Sequence, residues 1–150
     1  GHGEYTEELK QLAQKLQIEQ YTTFLPFNIN PYKYMKHAHL FVLSSIYEGF
    51  PIVLAEASSL RLPFLGTQKA IPEEMFDKKT FWEECIFQSS SLEKDFSTTI
   101  HQDEQALAAL IKKGVEDEIF RHKILESTAL WEQNNTKKKQ FECYDSIANQ

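Results

Sequence analysis

The chain has 150 residues, 41 % of them apolar and 25 % charged, with a formal net charge of −6. That length suits one domain around one core, and the composition is that of a soluble globular protein rather than a disordered tail. The acidic balance argues against nucleic acid as a partner, and no apolar run approaches the roughly 20 residues that span a bilayer, so any membrane contact is expected to be peripheral.

Residues 5–17 read as a helix, with Leu9, Leu12 and Leu16 at helical spacing. Tyr21 to Leu25 is a β-branched and aromatic run that predicts a strand, interrupted by Pro26. Asn30-Pro31 opens a helix to about His37, Asn being able to cap and Pro suiting the first turn. Leu40 to Leu43 is a continuous apolar run, the pattern of a strand buried on both faces. A loop from Ser44 to Phe50 leads into a helix over Pro51 to Leu60, and Pro63 to Leu65 predicts a short strand ending at Gly66. Pro72-Glu73-Glu74-Met75 begins a further helix, and Cys85 to Phe87 is a candidate strand before a serine-rich loop. Gln102 to Lys113 and Glu116 to about Asn134 read as amphipathic helices, and a last one, packed through Phe141, Tyr144 and Ile147, runs to about Ala148. The basic run Lys137-Lys138-Lys139 reads as a solvated helix face.

Strand and helix alternate through the first half, which predicts an α/β fold: a Rossmann-like parallel sheet with flanking helices and a helical C-terminus. In such sheets ligands sit at the carboxyl ends of the strands, so the loop from Ser44 to Phe50 is the first place to look for a site. Gly49 lets backbone approach a ligand closely. The helix starting near Pro51 presents free N–H groups and the positive end of its dipole, suited to a diphosphate. Glu48 lies just outside the helix start and Glu56 in its second turn, and a carboxylate accepts two hydrogen bonds in a geometry that matches adjacent sugar hydroxyls. From spacing alone, an ordinary loop carboxylate and an ordinary partner for a cation are the better account of Glu48 and Glu56, because helix starts after strands are common.

The ordered string NPYKYMKHAHLFVLSSIYEGFPIVLAEASSLRLPFLGT resembles the C-terminal domain of glycosyltransferase family 4, retaining enzymes of the GT-B fold. Their pattern has two Glu separated by seven residues in a Glu-Gly-Phe-Gly/Pro context, a preceding apolar strand ending in Ser and a following Leu-Pro strand. The opening Gly1-His2-Gly3-Glu4 and the run Phe24-Leu25-Pro26-Phe27 match as well, so the likeness covers roughly residues 1–75. It implies that Glu48, the catalytic candidate, contacts donor-sugar hydroxyls; that backbone amides around Gly49, Phe50, Pro51 and Ile52 hold the distal phosphate; that Glu56 binds the ribose hydroxyls; and that backbone near Pro26 and Phe27 faces the base. The reaction implied moves a hexose-type sugar from a nucleotide-sugar, UDP preferred over GDP, to a hydroxyl acceptor on a glycan or glycolipid, with retention. No metal or other cofactor is expected, and the location expected is the cytoplasm, at the inner face of the membrane. The competing reading is a non-catalytic, truncated or degenerate domain that only binds a partner chain.

Several features depart from the family pattern. The family's C-terminal domain opens with a strand and loop whose Arg and Lys clamp the diphosphate, whereas this chain begins at the glycine loop after the second strand. Residues 1–150 are therefore expected to be a partial donor-binding domain, with 102–150 as terminal helices and the acceptor domain outside the chain. Arg61 stands where Gly usually precedes Leu-Pro, and Ala70 where Gly usually precedes Pro-Glu; the methyl of Ala70 would either reshape the sugar pocket or signal decay. His37 and His39 lack a visible third ligand, and structural or surface roles are expected for them. Trp82 and Trp131 are expected in the core or an interface. Cys85 and Cys143 form no CxxC pair and are expected as reduced thiols. The 150-residue chain alone is expected to bind donor weakly and to transfer nothing; turnover of any nucleotide-sugar by the purified chain refutes this.

Overall fold

The computed structural model describes residues 3–27, 30–49, 51–87 and 102–134. Three short parallel strands form the sheet: β1 (Phe41–Leu43), β2 (Phe64–Thr67) and β3 (Ile86–Phe87), adjacent in chain order. Phe41, Val42 and Leu43 pair with Phe64, Leu65 and Gly66, and Gly66 and Thr67 pair with Ile86 and Phe87. The α-helices are α1 (Thr6–Lys15), α2 (Tyr32–Met35), α3 (Ile52–Ser59), α4 (Lys79–Cys85), α5 (Gln102–Glu116) and α6 (Glu118–Asn134). This is the Rossmann-like α/β arrangement that the alternation of elements predicts. The last expected helix lies outside the described residues, as does Cys143.

The fully buried strand is β2, not β1. All four β2 residues are buried, whereas Phe41, Val42 and Leu43 are half-buried. The apolar run over Leu40 to Leu43 is thus an outer strand of the described sheet, with β2 on one side only. Gly66 is required where it stands. A Cβ there would lie 2.4 Å from the Leu43 carbonyl oxygen and 3.1 Å from the Ile71 side chain, so β1 and β2 can lie this close only with hydrogen at that position. Gly114 plays the same part for α5: a Cβ would meet Leu40 at 2.8 Å and Leu65 at 3.1 Å, so the bare backbone lets the helix lie against the sheet.

The core gathers Leu54 and Ala57 of α3, Phe64 and Leu65 of β2, Ile71, Met75, Trp82, Cys85, and Phe120 and Ile124 of α6. Phe64, Phe76, Phe81 and Phe120 form a chain of ring contacts, with centroids 5.8, 6.3 and 5.8 Å apart. Trp82 is a core residue, as expected; its indole N–H donates to the Ile71 carbonyl at 2.9 Å, which satisfies its one polar atom. Burial is the main cause that pushes the Cys85 thiol up to about 12, so it stays protonated and unreactive at neutral pH.

Two further expectations are corrected. Tyr21 to Leu25 is not a strand: Glu19–Tyr21 forms a 3-10 turn, and the following residues have no regular structure. Thr22 is extended (φ −117°, ψ 124°), but no described strand pairs with this stretch, and Tyr21, Phe24 and Leu25 are exposed. A strand propensity without a neighbour forms no ladder. Pro72 to Met75 gives only a 3-10 turn, and α4 starts at Lys79. Between them Phe76 is extended and buried in the aromatic chain, and the Asp77 N–H donates to the Ser127 carbonyl of α6 at 2.9 Å, a tertiary tie that overrides continuation of the helix.

Helix ends explain the rest of the geometry. Asp117 caps α6 by accepting from the Phe120 N–H at 2.9 Å, and Arg121 donates to the carbonyls of Gly114 and Val115 at the end of α5, so one intervening residue suffices between the two helices. Helices α1 and α3 both end in a Schellman motif. The N–H groups of Gln17 and Ile18 bond the carbonyls of Gln14 and Ala13, and those of Arg61 and Leu62 bond the carbonyls of Ser58 and Ala57. The motif places Gln17 (φ 57°) and Arg61 (φ 53°) in the left-handed region that a glycine occupies without strain. The glycine that the resembled pattern has at this position would take the turn without strain. Arg61→Gly is expected to stabilise the chain by about 1 kcal/mol, read as a raised midpoint in urea unfolding; an unchanged or lowered midpoint contradicts the strain.

Candidate functional site

The loop after β1 is held against the loop after β2. The Thr67 hydroxyl at the end of β2 donates to the Ser45 carbonyl, and the Glu48 N–H meets the Lys69 carbonyl at 3.4 Å. Both loops leave the carboxyl end of the parallel sheet, where such folds place their ligands. Glu48 is half-buried in this junction, and Gly49 next to it is exposed. A Cβ on Gly49 would meet nothing within 4 Å, so the chain's own packing does not demand glycine there. The open backbone is free to be approached from outside.

Helix α3 starts directly after this loop. Pro51 is buried and extended (φ −78°, ψ 91°), and among the described residues no side chain caps the helix. The first amides of a helix have no intrahelical acceptor, so the start of α3 offers uncapped N–H groups with the positive end of the dipole. Ile52 in that first turn is 68 % exposed, which leaves this end at the surface. Glu56 follows one turn later and is half-buried. Glu48 and Gly49 thus belong to the loop after β1, and Pro51, Ile52 and Glu56 to the start and second turn of α3. Phe50 lies outside the described residues. Pro26 and Phe27 are exposed residues of the irregular stretch after the 3-10 turn, Phe27 at 75 %.

One residue of the unit escapes sequence reasoning. The Tyr32 hydroxyl, at the start of α2, donates to Oε1 of Glu56 at 2.7 Å. The two residues are 24 positions apart, and no periodicity links them. The only hint is that Tyr32 directly follows the Asn30-Pro31 helix start. The hydrogen bond to Glu56, and then its negative charge, raise the Tyr32 phenol above its ordinary 10.0.

Ala70 carries no methyl into an open site. It is 1 % exposed, its N–H bonds the Thr67 carbonyl at 3.0 Å, and its backbone is not left-handed. His37 and His39 are both exposed. A cavity of about 520 Å³ beside β2 is lined by Gln68, Glu73, Lys79, Trp82, Glu83 and Ile86. None of the residues expected to hold a donor lines it, and Lys79 there is paired with Glu73 at 3.3 Å.

Residues 1–131 match the family model described as glycosyl transferases group 1. The chain is similar to an uncharacterized glycosyltransferase of Methanocaldococcus jannaschii, 33 % identical over 142 residues that cover 81 % of this chain and 34 % of the relative. It is 34 % identical over 82 residues to the N-acetylgalactosamine-N,N'-diacetylbacillosaminyl-diphospho-undecaprenol 4-alpha-N-acetylgalactosaminyltransferase of Campylobacter jejuni, covering 54 % of this chain and 22 % of that enzyme. An uncharacterized glycosyltransferase of Haemophilus influenzae is 37 % identical over 66 residues, 44 % of this chain and 19 % of the relative. The chain thus spans about a third or less of the length of these relatives.

The Tyr32 bond has a pH signature. Because the folded-state value is raised, the stabilisation from this bond is complete below the ordinary 10.0 and is lost as the pH rises through the raised value. Ultraviolet titration of tyrosinate, taken as the difference between wild type and Tyr32→Phe, should show one phenol ionising above 10.0. In Glu56→Gln it should return toward 10.0; a phenol that titrates there already in the wild type contradicts the bond.

Proposed function

Because the chain belongs to the glycosyl transferases group 1 family, we propose that it is the donor-binding part of a retaining glycosyltransferase of the family 4 type, moving a hexose-type sugar from a nucleotide-sugar to a hydroxyl acceptor. The observation that carries the reading is the uncapped start of α3, bracketed by Glu48 and Glu56 at the carboxyl end of the sheet. A nucleotide-sugar has three parts to recognise: ribose, diphosphate and sugar. The unit has three matching chemistries in order.

In this reading the diphosphate lies on the N–H groups of Gly49, Phe50 and Ile52, Pro51 having none to give. As the bond from the anomeric carbon to the leaving phosphate oxygen breaks, negative charge grows on the diphosphate, and preorganised N–H groups with the helix dipole stabilise it at the moment it forms. Glu48, held by its backbone contact with Lys69, accepts hydrogen bonds from hydroxyls of the donor sugar and sets the anomeric carbon relative to the acceptor oxygen. Glu56 takes the ribose diol. Pro26 and Phe27 remain the candidates for the base. UDP is the preferred nucleotide and GDP the alternative.

The acceptor is proposed to be a glycan or glycolipid in polysaccharide or glycolipid synthesis. The name of the C. jejuni relative, which carries a diphospho-undecaprenol group, supports a lipid-linked acceptor. No helix among the described residues is long and apolar enough to cross a membrane. The proposed location, by analogy with the C. jejuni relative, is peripheral at the cytoplasmic face.

Calorimetric titration of UDP- and GDP-sugars against the protein carrying this chain tests the assignment. Hydrogen bonds to a charged group are worth about 1.5–3 kcal/mol, so Glu56→Ala is expected to weaken the true donor by about ten- to a hundredfold. Unchanged affinity for every donor removes the ribose role.

A further inference from the structure

We propose that Tyr32 is a positioning residue for nucleotide recognition, its hydroxyl holding the Glu56 carboxylate in the orientation that takes the ribose diol. The proposal rests on the assignment of Glu56 to ribose made above. It starts from the 2.7 Å bond between the first residue of α2 and the second turn of α3. A glutamate has a long, freely rotating side chain, and freezing it when a ligand arrives costs conformational entropy. A bond already made in the free protein removes part of that cost. It also leaves room for a ligand, because a carboxylate has about four acceptor sites and the phenol uses one of them, on Oε1.

The surroundings fit this role better than a purely structural one. The Tyr32 ring is 40 % exposed and Glu56 is half-buried, so the pair lies at the surface rather than inside the core. An exposed hydrogen bond between two elements adds little to stability. The raised phenol keeps its proton through the physiological range, so it remains a donor to the carboxylate. Phenylalanine at this position keeps the ring and removes only the hydroxyl, which makes the contribution of the bond separable.

The test compares UDP with 2′,3′-dideoxy-UDP, and GDP with its dideoxy analogue, by calorimetry on wild type, Tyr32→Phe, Glu56→Ala and the double variant. Positioning of Glu56 matters only to a ligand that carries the diol. Tyr32→Phe is therefore expected to weaken the ribonucleotide by about fivefold and to leave the dideoxy analogue unchanged. In the Glu56→Ala background Tyr32→Phe is expected to change neither. Equal weakening of both nucleotides by Tyr32→Phe makes it a structural tie and overturns the proposal, as does no change in either. If the wild type binds both forms equally well and Glu56→Ala costs neither, the ribose assignment itself falls and Tyr32 falls with it. Absence of binding by every nucleotide has the same consequence.

Discussion

Strand β2 is buried at every residue, and the space beside Gly66 has no room for a side chain. The Leu43 carbonyl oxygen and the Ile71 side chain occupy the space where a Cβ would stand. That close approach sets β1 against β2 in register, so that their carboxyl ends finish side by side. The loops that leave those ends are then near enough to join, through the Thr67 hydroxyl on the Ser45 carbonyl and the Glu48 N–H toward the Lys69 carbonyl. The position of Glu48 is thus a consequence of packing within the sheet. Gly114 extends the same economy to α5, which rests on Leu40 and Leu65.

Helix α3 links the sheet to the candidate site, and its two ends serve different purposes. Its buried middle, through Leu54 and Ala57, anchors it in the core. Its C-terminal end is closed by the Schellman bonds of Arg61 and Leu62. Its N-terminal end has no side-chain cap, and a helix start with unsatisfied amides is less stable than a capped one by about 1 kcal/mol. In the proposed function, the diphosphate takes the place of that cap. The helix is also tied sideways, from Glu56 to Tyr32 of α2, which brings a segment before the sheet into the same unit.

Much of this was legible from residue order. The alternation of apolar runs and amphipathic stretches predicts the α/β class, and β1, α3, β2, β3, α5 and α6 lie within a few residues of where periodicity places them. The loop-and-helix unit from Glu48 to Glu56 was equally legible, because its pieces are neighbours along the chain. The failures share a cause. The run from Tyr21 to Leu25 has the composition of a strand, yet a strand exists only where another lies beside it. Leu40 to Leu43 reads as a strand buried on both faces, but among the described residues only β2 lies beside it and it is half-buried. After Met75 the helix pattern gives way to a core aromatic, Phe76, and to a bond from the Asp77 N–H to the Ser127 carbonyl on α6, with the Ser127 hydroxyl donating back to the Asp77 carboxylate.

By itself the sequence determined which elements form, the family-like order of its site motif, and the local chemistry of a helix start flanked by two carboxylates, since each depends on residues close together in the chain. Only the tertiary structure decided that β2 is the buried strand, that Arg61 occupies a left-handed turn, that Ala70 is closed off from the surface, and that Tyr32 holds Glu56. Those outcomes depend on which distant atoms meet when the chain packs, and a pattern read along the chain carries no term for that.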